Sequence, residues 1–407
     1  QVLEKLEGNP HSKPHEVDRI NDYTSAWELL NSWGGGRTLY PPAYHDWPSV
    51  IRAVASAPIR RVSNPKRGVQ VKAQLELAGG QISFFKPMRY NRSDIIDGPN
   101  PYNGADRHNG EIAAFHLGRL LGFNRVPIAV GRILNLKTDL FRVADANFLD
   151  AFYRDRVSDR FCLLRKAHCK HYCNNRAFSA CSQPHSYDIE GVMILRLPEQ
   201  LKLDMLKSPW ARNYSIPGNT LWERNPNFCA QNVYDRKGFG KPPLFLDLID
   251  TAVFDYLISN GDRHHVDIVW DEPSDRQVDT YLDTSVAGRA KQFAAVASRN
   301  HVNTMLVLLD NGKSFGDPLV DYTDILAPLY QCCQLRRRTY DILRYYIDGV
   351  NLAASLDREL VHDPLYPILT ISHLNAINRR LLHIWALVKL CIEQRGQSAV
   401  LIDDGFR

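Results

Sequence analysis

The apolar residues of this chain change their period part-way along it. In the first half they alternate: Val69, Val71, Ala73, Leu75 and Leu77 stand two apart with mostly polar residues between them. Alternation puts one face of an extended segment into a core, so a strand is expected there. Gly79-Gly80 supplies a turn, and residues 81–86 return as a second strand ending in Phe84-Phe85-Lys86, which makes a hairpin. A helix is expected at 107–121 and stopped by Gly122, followed by a buried strand at 126–136 and a short one at 192–197. Beyond that point the spacing becomes helical. Residues 245–259 carry Leu248, Ile249, Ala252, Val253, Tyr256 and Leu257 on one stripe, and 323–347 and 374–394 read as amphipathic helices. Only 305–309 is a short β-like run ending in Asp310. Strands first and helices second predict an α+β, bilobal fold. The expected division is an N-terminal arm with a short helix (1–64), a β-rich lobe with a Cys-rich insertion (65–192) and a helical lobe (193–407). Residues 271–302 are polar and read as a surface loop.

A chain of 407 residues with a net charge of +5 tolerates an anionic ligand but has no basic tract of the kind that binds nucleic acid. No run of eighteen apolar residues occurs, so no membrane span is expected. The chain starts at Gln1, which reads as the trace of a removed signal or anchor segment. The eight cysteines fall as a group (Cys162, Cys169, Cys173, Cys181), a lone Cys229, the adjacent Cys332 and Cys333, and Cys391. An even count with an adjacent pair fits disulfides in an oxidising compartment. Zinc is the rival reading, because His168 and His171 lie beside Cys169 and Cys173, but it leaves the other four cysteines without a role. Asn91 and Asn213 open Asn-x-Ser sequons, in keeping with a lumenal protein.

Four residues carry a candidate chemistry. Phosphoryl transfer needs positive charge on the phosphates, a carboxylate-held metal and a carboxylate to orient the attacking hydroxyl. Lys86 ends an apolar strand, Glu111 lies early in the next helix, Asp262 follows the helix 245–259 directly, and Asp310 ends the short strand before Asn311-Gly312. Each has a plainer reading: a snorkelling lysine, an acid at a helix N-terminus, a solvated cap and a turn residue. A metal hydrolase built on His264 and His265 is a further alternative, although adjacent histidines point in different directions. The order strand Lys, helix Glu, post-helix Asp, strand-end Asp is the order of parts in a protein-kinase-like fold. Neither a Gly-x-Gly-x-x-Gly loop nor a His-Arg-Asp motif is present. The segment Asp106-Arg107-His108 repeats the wording of Asp262-Arg263-His264 but opens a helix in the first lobe, and reads as structural.

The segments Asp106-Arg107-His108-Asn109-Gly110-Glu111-Ile112-Ala113-Ala114-Phe115-His116-Leu117, Asn260-Gly261-Asp262-Arg263-His264-His265 and Leu309-Asp310-Asn311-Gly312 resemble the secretory-pathway kinases called "family with sequence similarity twenty". The resemblance covers roughly residues 65 to 400 and is closest to the branch of glycosaminoglycan xylosylkinases, through Pro101–Asp106, 249–258 and 325–333. It implies an atypical bilobal kinase fold stapled by disulfides, with ATP and Mn2+ or Mg2+ as cofactors. The implied acceptor is the galactosyl-xylose of a proteoglycan linkage region, phosphorylated on the xylose 2-hydroxyl. The implied compartment is the Golgi lumen or secretory pathway, and the implied assembly a homo- or heterodimer with a related family member.

By the same resemblance, Asp262 is the catalytic base, Asp310 holds metal and contacts ATP, and Glu111 falls on a metal position. Gln70, Lys86 and Asp267 fall on nucleotide-binding positions, and Ile194, Leu195, Arg196 and Leu197 on the adenine-side strand. The implied disulfides are Cys162–Cys181, Cys169–Cys173, Cys229–Cys332 and Cys333–Cys391. The chain departs from the family pattern at Val266-Asp267, where Tyr-Glu is usual, at Gly261, and in the length of 271–302. Two rival functions are a Ser kinase acting at Ser-x-Glu, which shares every catalytic residue, and a non-catalytic activator, against which Glu111, Asp262 and Asp310 argue. Trp210, Trp222 and Tyr214 are candidates for a sugar platform, with core packing as their plainer role.

Overall fold

The computed structural model describes residues 19–33, 37–41, 47–65, 71–95, 106–155, 157, 159–164, 179–198, 201–213, 218–234, 239, 242–270 and 304–406. Its first layer is an antiparallel sheet in the order β1-β2-β3-β8-β4, made of β1 (Ile59–Ser63), β2 (Ala73–Leu77), β3 (Ile82–Pro87), β4 (Ala129–Asn135) and β8 (Asp188–Leu195). The expected alternation holds in β2, where Ala73, Leu75 and Leu77 face the core. Gly79 and Gly80 both turn with positive φ, and a Cβ on Gly79 would overlap the Trp27 indole. Trp27 belongs to helix α1 (Arg19–Ser32) and donates from Nε1 to the Ala78 carbonyl at 2.8 Å, so the arm is fastened to the hairpin turn. Helix α2 (Trp47–Ser56) runs into β1. The sheet layer therefore starts before residue 65, and β8 carries it past 192 to Leu195.

The insertion between β4 and β8 forms its own sheet of β5 (Phe152–Asp155), β6 (Arg160–Leu164) and β7 (Ser179–Cys181). Cys162 and Cys181 stand opposite each other in that sheet and are joined. The implied pairs Cys229–Cys332 and Cys333–Cys391 also form, while Cys169–Cys173 and the 271–302 loop lie outside the described residues.

Helix α3 (His108–Leu120) is buried on every side from His108 to Gly118, as befits a helix wedged between the sheet and the second lobe. Helix α4 (Leu244–Ile258) is buried along its whole length. Its acids survive burial because they are paired: Asp247 and Asp250 with Arg125 and Arg336, and Asp247 also with Arg37. A second small sheet, β9 (Lys202–Lys207), β10 (His265–Trp270) and β11 (Met305–Val307), follows from it. Helices α5 (Ala327–Cys332), α6 (Arg337–Ile347), α7 (Leu352–Leu360) and α8 (Ile371–Arg395) complete this lobe.

The single helix expected at 323–347 is broken. A 3-10 turn at Thr323–Leu326 leads into α5, which stops at Cys333 in the left-handed region, and α6 restarts at Arg337. Cys332 and Cys333 are tied to different partners, and Arg336 takes an extended backbone that sends its guanidinium into the buried Asp247, Asp250 and Asp404. Those tertiary ties outweigh an amphipathic period that taken alone continues through the break. Among the described residues no helix is long and apolar enough to cross a membrane.

Candidate active site

Lys86 closes β3, one residue short of the strand's end, and burial covers all but 9% of its side chain. Its ammonium lies 2.6 Å from Glu111 Oε1, 2.9 Å from Asp310 Oδ1 and 3.8 Å from Asp106 Oδ1. Burial taken alone would lower the Lys86 pKa, but the charges of Asp106, Asp310 and Glu111 hold it well above its ordinary value. Glu111 reaches Lys86 from the first turn of α3, and its other oxygen accepts the Asn311 backbone N–H at 3.1 Å. One carboxylate joins the first-lobe strand to the turn after β11.

That turn is Asp310-Asn311-Gly312. Asp310 sits at φ 56°, which turns its carboxylate back toward Lys86 while leaving the side chain 62% exposed. Asn311 is fully buried and donates to the Leu308 carbonyl at 2.8 Å. The Gly312 carbonyl accepts the Arg107 N–H at 2.7 Å, and a Cβ on Gly312 would overlap Asp106 Oδ1. Glycine is required there because the acid packs against the turn.

Asp262 follows α4 through a left-handed Ser259 (φ 58°). The Asp262 N–H donates to Asn260 Oδ1 at 3.1 Å, Oδ2 lies 3.1 Å from Lys313 Nζ, and Oδ1 lies 3.4 Å from His264 Nδ1. Burial lowers the His264 pKa, yet its hydrogen bonds to Asp262 and the charges of Asp262 and Asp310 leave it raised overall. Arg263 points the other way. It grips Asp255 with two bonds of 3.0 and 2.8 Å, donates to Asn311 Oδ1 at 2.7 Å and reaches the Leu309 carbonyl. The loop bearing Asp262 and the turn bearing Asp310 are thus bolted together. Asp267 lies in β10 opposite Val307 and Met205; burial chiefly, with the charge of Asp310, pushes its pKa up to about 6 against the pull of Arg263.

A cationic side chain amid three acids, with a fourth acid on the loop that Arg263 ties to the Asp310 turn, is the equipment for phosphoryl transfer rather than for a zinc hydrolase. Of the histidines of the rival reading, His264 turns Nδ1 to the Asp262 carbonyl at 2.7 Å, and among the described residues neither His264 nor His265 stands in a group of three or more potential metal ligands. Asp106, Glu111 and Asp310 each place an oxygen within 4.8 Å of the others, a set of hard oxygen donors that fits a divalent cation. The fit is sharpened by Asp106 Oδ1, which is buried and accepts no hydrogen bond among the described residues.

The family described as "Golgi casein kinase, C-terminal, Fam20" matches residues 25–292 and 288–400. The chain belongs to the Fam20 family. The human glycosaminoglycan xylosylkinase is 38% identical over 380 residues, 93% of this chain and 83% of that protein. A hydra Fam20 structure solved with sugar superposes with a TM-score of 0.81 at 37% identity, covering 93% of this chain and 99% of that one. The Golgi casein kinase solved with Mn/ADP bound gives 0.80 at 30% identity, with 93% and 83% covered.

Within this Fam20 frame the structure brings together Lys86, Glu111 and Asp310, and sets Asp262 beside Lys313 of the same turn. Ile194 and Leu195 end β8, directly alongside β3, and Arg196 continues the contact by donating its N–H to the Ile82 carbonyl at 3.0 Å; Leu197 packs on the core edge. Gln70 and Tyr214 lie outside the described residues. Trp210 and Trp222 are buried with both indole N–H groups satisfied, on Gln331 Oε1 at 2.8 Å and the Ala211 carbonyl at 3.0 Å, so they serve packing. They wall a small cavity of about 60 Å³ under Asn260, Gly261 and His264. Asn91 is exposed and Asn213 half-buried. Asp106, read from sequence as structural, stands in the acid cluster.

Proposed function

We propose that this chain transfers the γ-phosphate of ATP to the xylose 2-hydroxyl of a glycosaminoglycan–protein linkage region, in the secretory pathway and within the Golgi lumen. The observation that carries phosphotransfer is the Lys86–Glu111–Asp310 cluster locked to the Asp262 loop through Arg263. The sugar acceptor is supported by the name of the human relative and by the sugar in the hydra structure. The compartment is supported by the disulfides at Cys162–Cys181, Cys229–Cys332 and Cys333–Cys391.

In this reading ATP lies under the sheet, its adenine against Ile194, Leu195, Arg196 and Leu197. Lys86 offsets phosphate charge, and Glu111 and Asp310 hold the divalent cation, which neutralises charge on the triphosphate. Gln70 and Asp267 complete the nucleotide contacts. Asp262 accepts the hydroxyl hydrogen bond and takes the proton as the sugar oxygen bonds to phosphorus and ADP leaves. His264 and Lys313 hold its two oxygens in place.

The deciding assay follows ATP consumption, with Mn2+ or Mg2+, on a galactosyl-xyloside, a xyloside and a Ser-x-Glu peptide side by side. Transfer to the galactosyl-xyloside is expected, and Asp262→Asn is expected to abolish it while still binding ADP. Transfer to the peptide alone would replace the sugar reading with a protein kinase. Silence on all three acceptors with ADP bound would make the chain an activator.

A further inference from the structure

The acid cluster around Lys86 carries more negative charge than its lysine offsets. Asp106, Glu111 and Asp310 present three carboxylates to one ammonium, and two of the three are almost wholly withdrawn from water, with side-chain exposures of 9% and 5%. Two elementary charges remain, the charge of one divalent cation. Arg89 also acts on Asp106, with a smaller effect than Lys86. Glu111 and Asp310 spend oxygens on Lys86 at 2.6 and 2.9 Å, but Asp106 stands back at 3.8 Å with Oδ1 buried and without a hydrogen-bond donor among the described residues. A buried carboxylate oxygen lacking a donor is costly, and one aimed into a cluster of hard donors invites an ion. The fold holds it there: Gly312 lacks the Cβ that would displace Oδ1, and the Arg107 N–H ties the same short segment to the Gly312 carbonyl at 2.7 Å.

We infer that Asp106 is a third carboxylate ligand of the divalent cation, completing a cage with Glu111 and Asp310 that takes Mn2+ or Mg2+ beside the nucleotide phosphates. The inference rests on the kinase reading above. Asp106 is thereby a metal-binding residue carried on the approach to α3, and the cation links that approach, the helix and the strand-end turn.

The test titrates Mn2+ into the full chain, with and without ADP, and reads free Mn2+ by its paramagnetic resonance signal. Asp106→Asn, of equal shape and one charge less, is expected to weaken Mn2+ binding about tenfold or more. Asp106→Glu, which keeps the charge on a longer arm, is expected to recover part of that loss. Without metal, Asp106→Asn is expected to melt no lower than the parent protein, because it relieves surplus charge; adding Mn2+ is expected to raise the parent's Tm more than the variant's. Equal Mn2+ affinity in the parent and Asp106→Asn, or a lowered metal-free Tm with affinity unchanged, would overturn the inference and leave Asp106 a packing residue. In that case parent binding of Mn2+ with ADP keeps the kinase reading intact. A parent chain that takes up no Mn2+ even with ADP overturns both.

Discussion

The Lys313 ammonium stands 3.1 Å from Asp262 Oδ2, and Lys313 follows Asp310 by three residues in the same turn. The turn that carries Asp310 therefore also supplies the cation that holds Asp262. Lys313→Met removes that cation from Asp262 Oδ2 and loosens the hold on the carboxylate. We expect kcat on the sugar acceptor to fall by about tenfold to a hundredfold, the scale of a misplaced catalytic group. ADP affinity should stay within a factor of about two. A loss confined to ADP binding would assign Lys313 to the nucleotide and not to Asp262.

Arg263 offers a test of the bolt between the two loops. Asp255 is 2% exposed and its pKa is raised by burial in spite of Arg263, so its charge depends on that partner. Removing one member of a buried ion pair strands the other in low dielectric, at a cost of about 3–5 kcal/mol. Arg263→Met should lose that much in denaturant unfolding and take activity with it. The double change Arg263→Met with Asp255→Leu should recover much of the stability but not the activity, since Asn311 and the Leu309 carbonyl still lack their donor. Recovery of both would reduce Arg263 to a scaffold residue.

Asp267 predicts a pH dependence with a definite sign. Its pKa rises from 3.8 unfolded to about 6 folded, so between those values the folded chain binds more protons than the unfolded one. Ionising it thus costs stability, progressively from about pH 4 to pH 6 and in full above that. Asp267→Asn should be more stable than the parent at pH 7.5, and the difference should vanish near pH 4. Activity should fall in the same variant, because a group kept at a stability cost is the mark of a functional position. Identical unfolding curves at both pH values would refute the burial of its charge.

How far the site could be read in advance differs residue by residue. Lys86 and Glu111 lie near the end of β3 and the start of α3, and Asp310 follows β11 by three residues, so their placement followed from where those elements begin and stop. Asp106 was read as structural, because what sets it in the cluster is Gly312, some two hundred residues away, against which it packs. The same holds for the acids of α4. The apolar stripe of 245–259 says nothing of Asp247, Asp250 and Asp255, yet all three are buried on arginines: Arg37, Arg125 and Arg336 for the first two and Arg263 for the third. The break at 333–336 has the same cause, since Arg336 leaves its helix to join them. Local period locates elements; long-range charge pairing decides which faces they hide.

The cysteines allow the two lobes to be compared by one kind of experiment. Cys229–Cys332 closes a span of 103 residues and Cys162–Cys181 one of 19. If disulfides act mainly by limiting the unfolded chain, the longer loop stabilises more, by about 1.5 kcal/mol from the logarithm of the two lengths. The geometry adds to the contrast. Cys229 is fully buried against the segment where α5 ends, and the neighbouring Cys333 ties that same segment to Cys391 of α8, so the long bridge braces the core of the helical lobe. The short one joins two neighbouring strands of the insertion's own sheet. Replacing both members of Cys229–Cys332 with Ser should therefore lower stability by about 2–5 kcal/mol and reduce secretion. The same change at Cys162 and Cys181 should cost less and leave ADP binding and phosphate transfer near parent values. If the short bridge proves the more costly, or its loss silences the enzyme, then the insertion is coupled to the catalytic cleft by contacts beyond its own three strands.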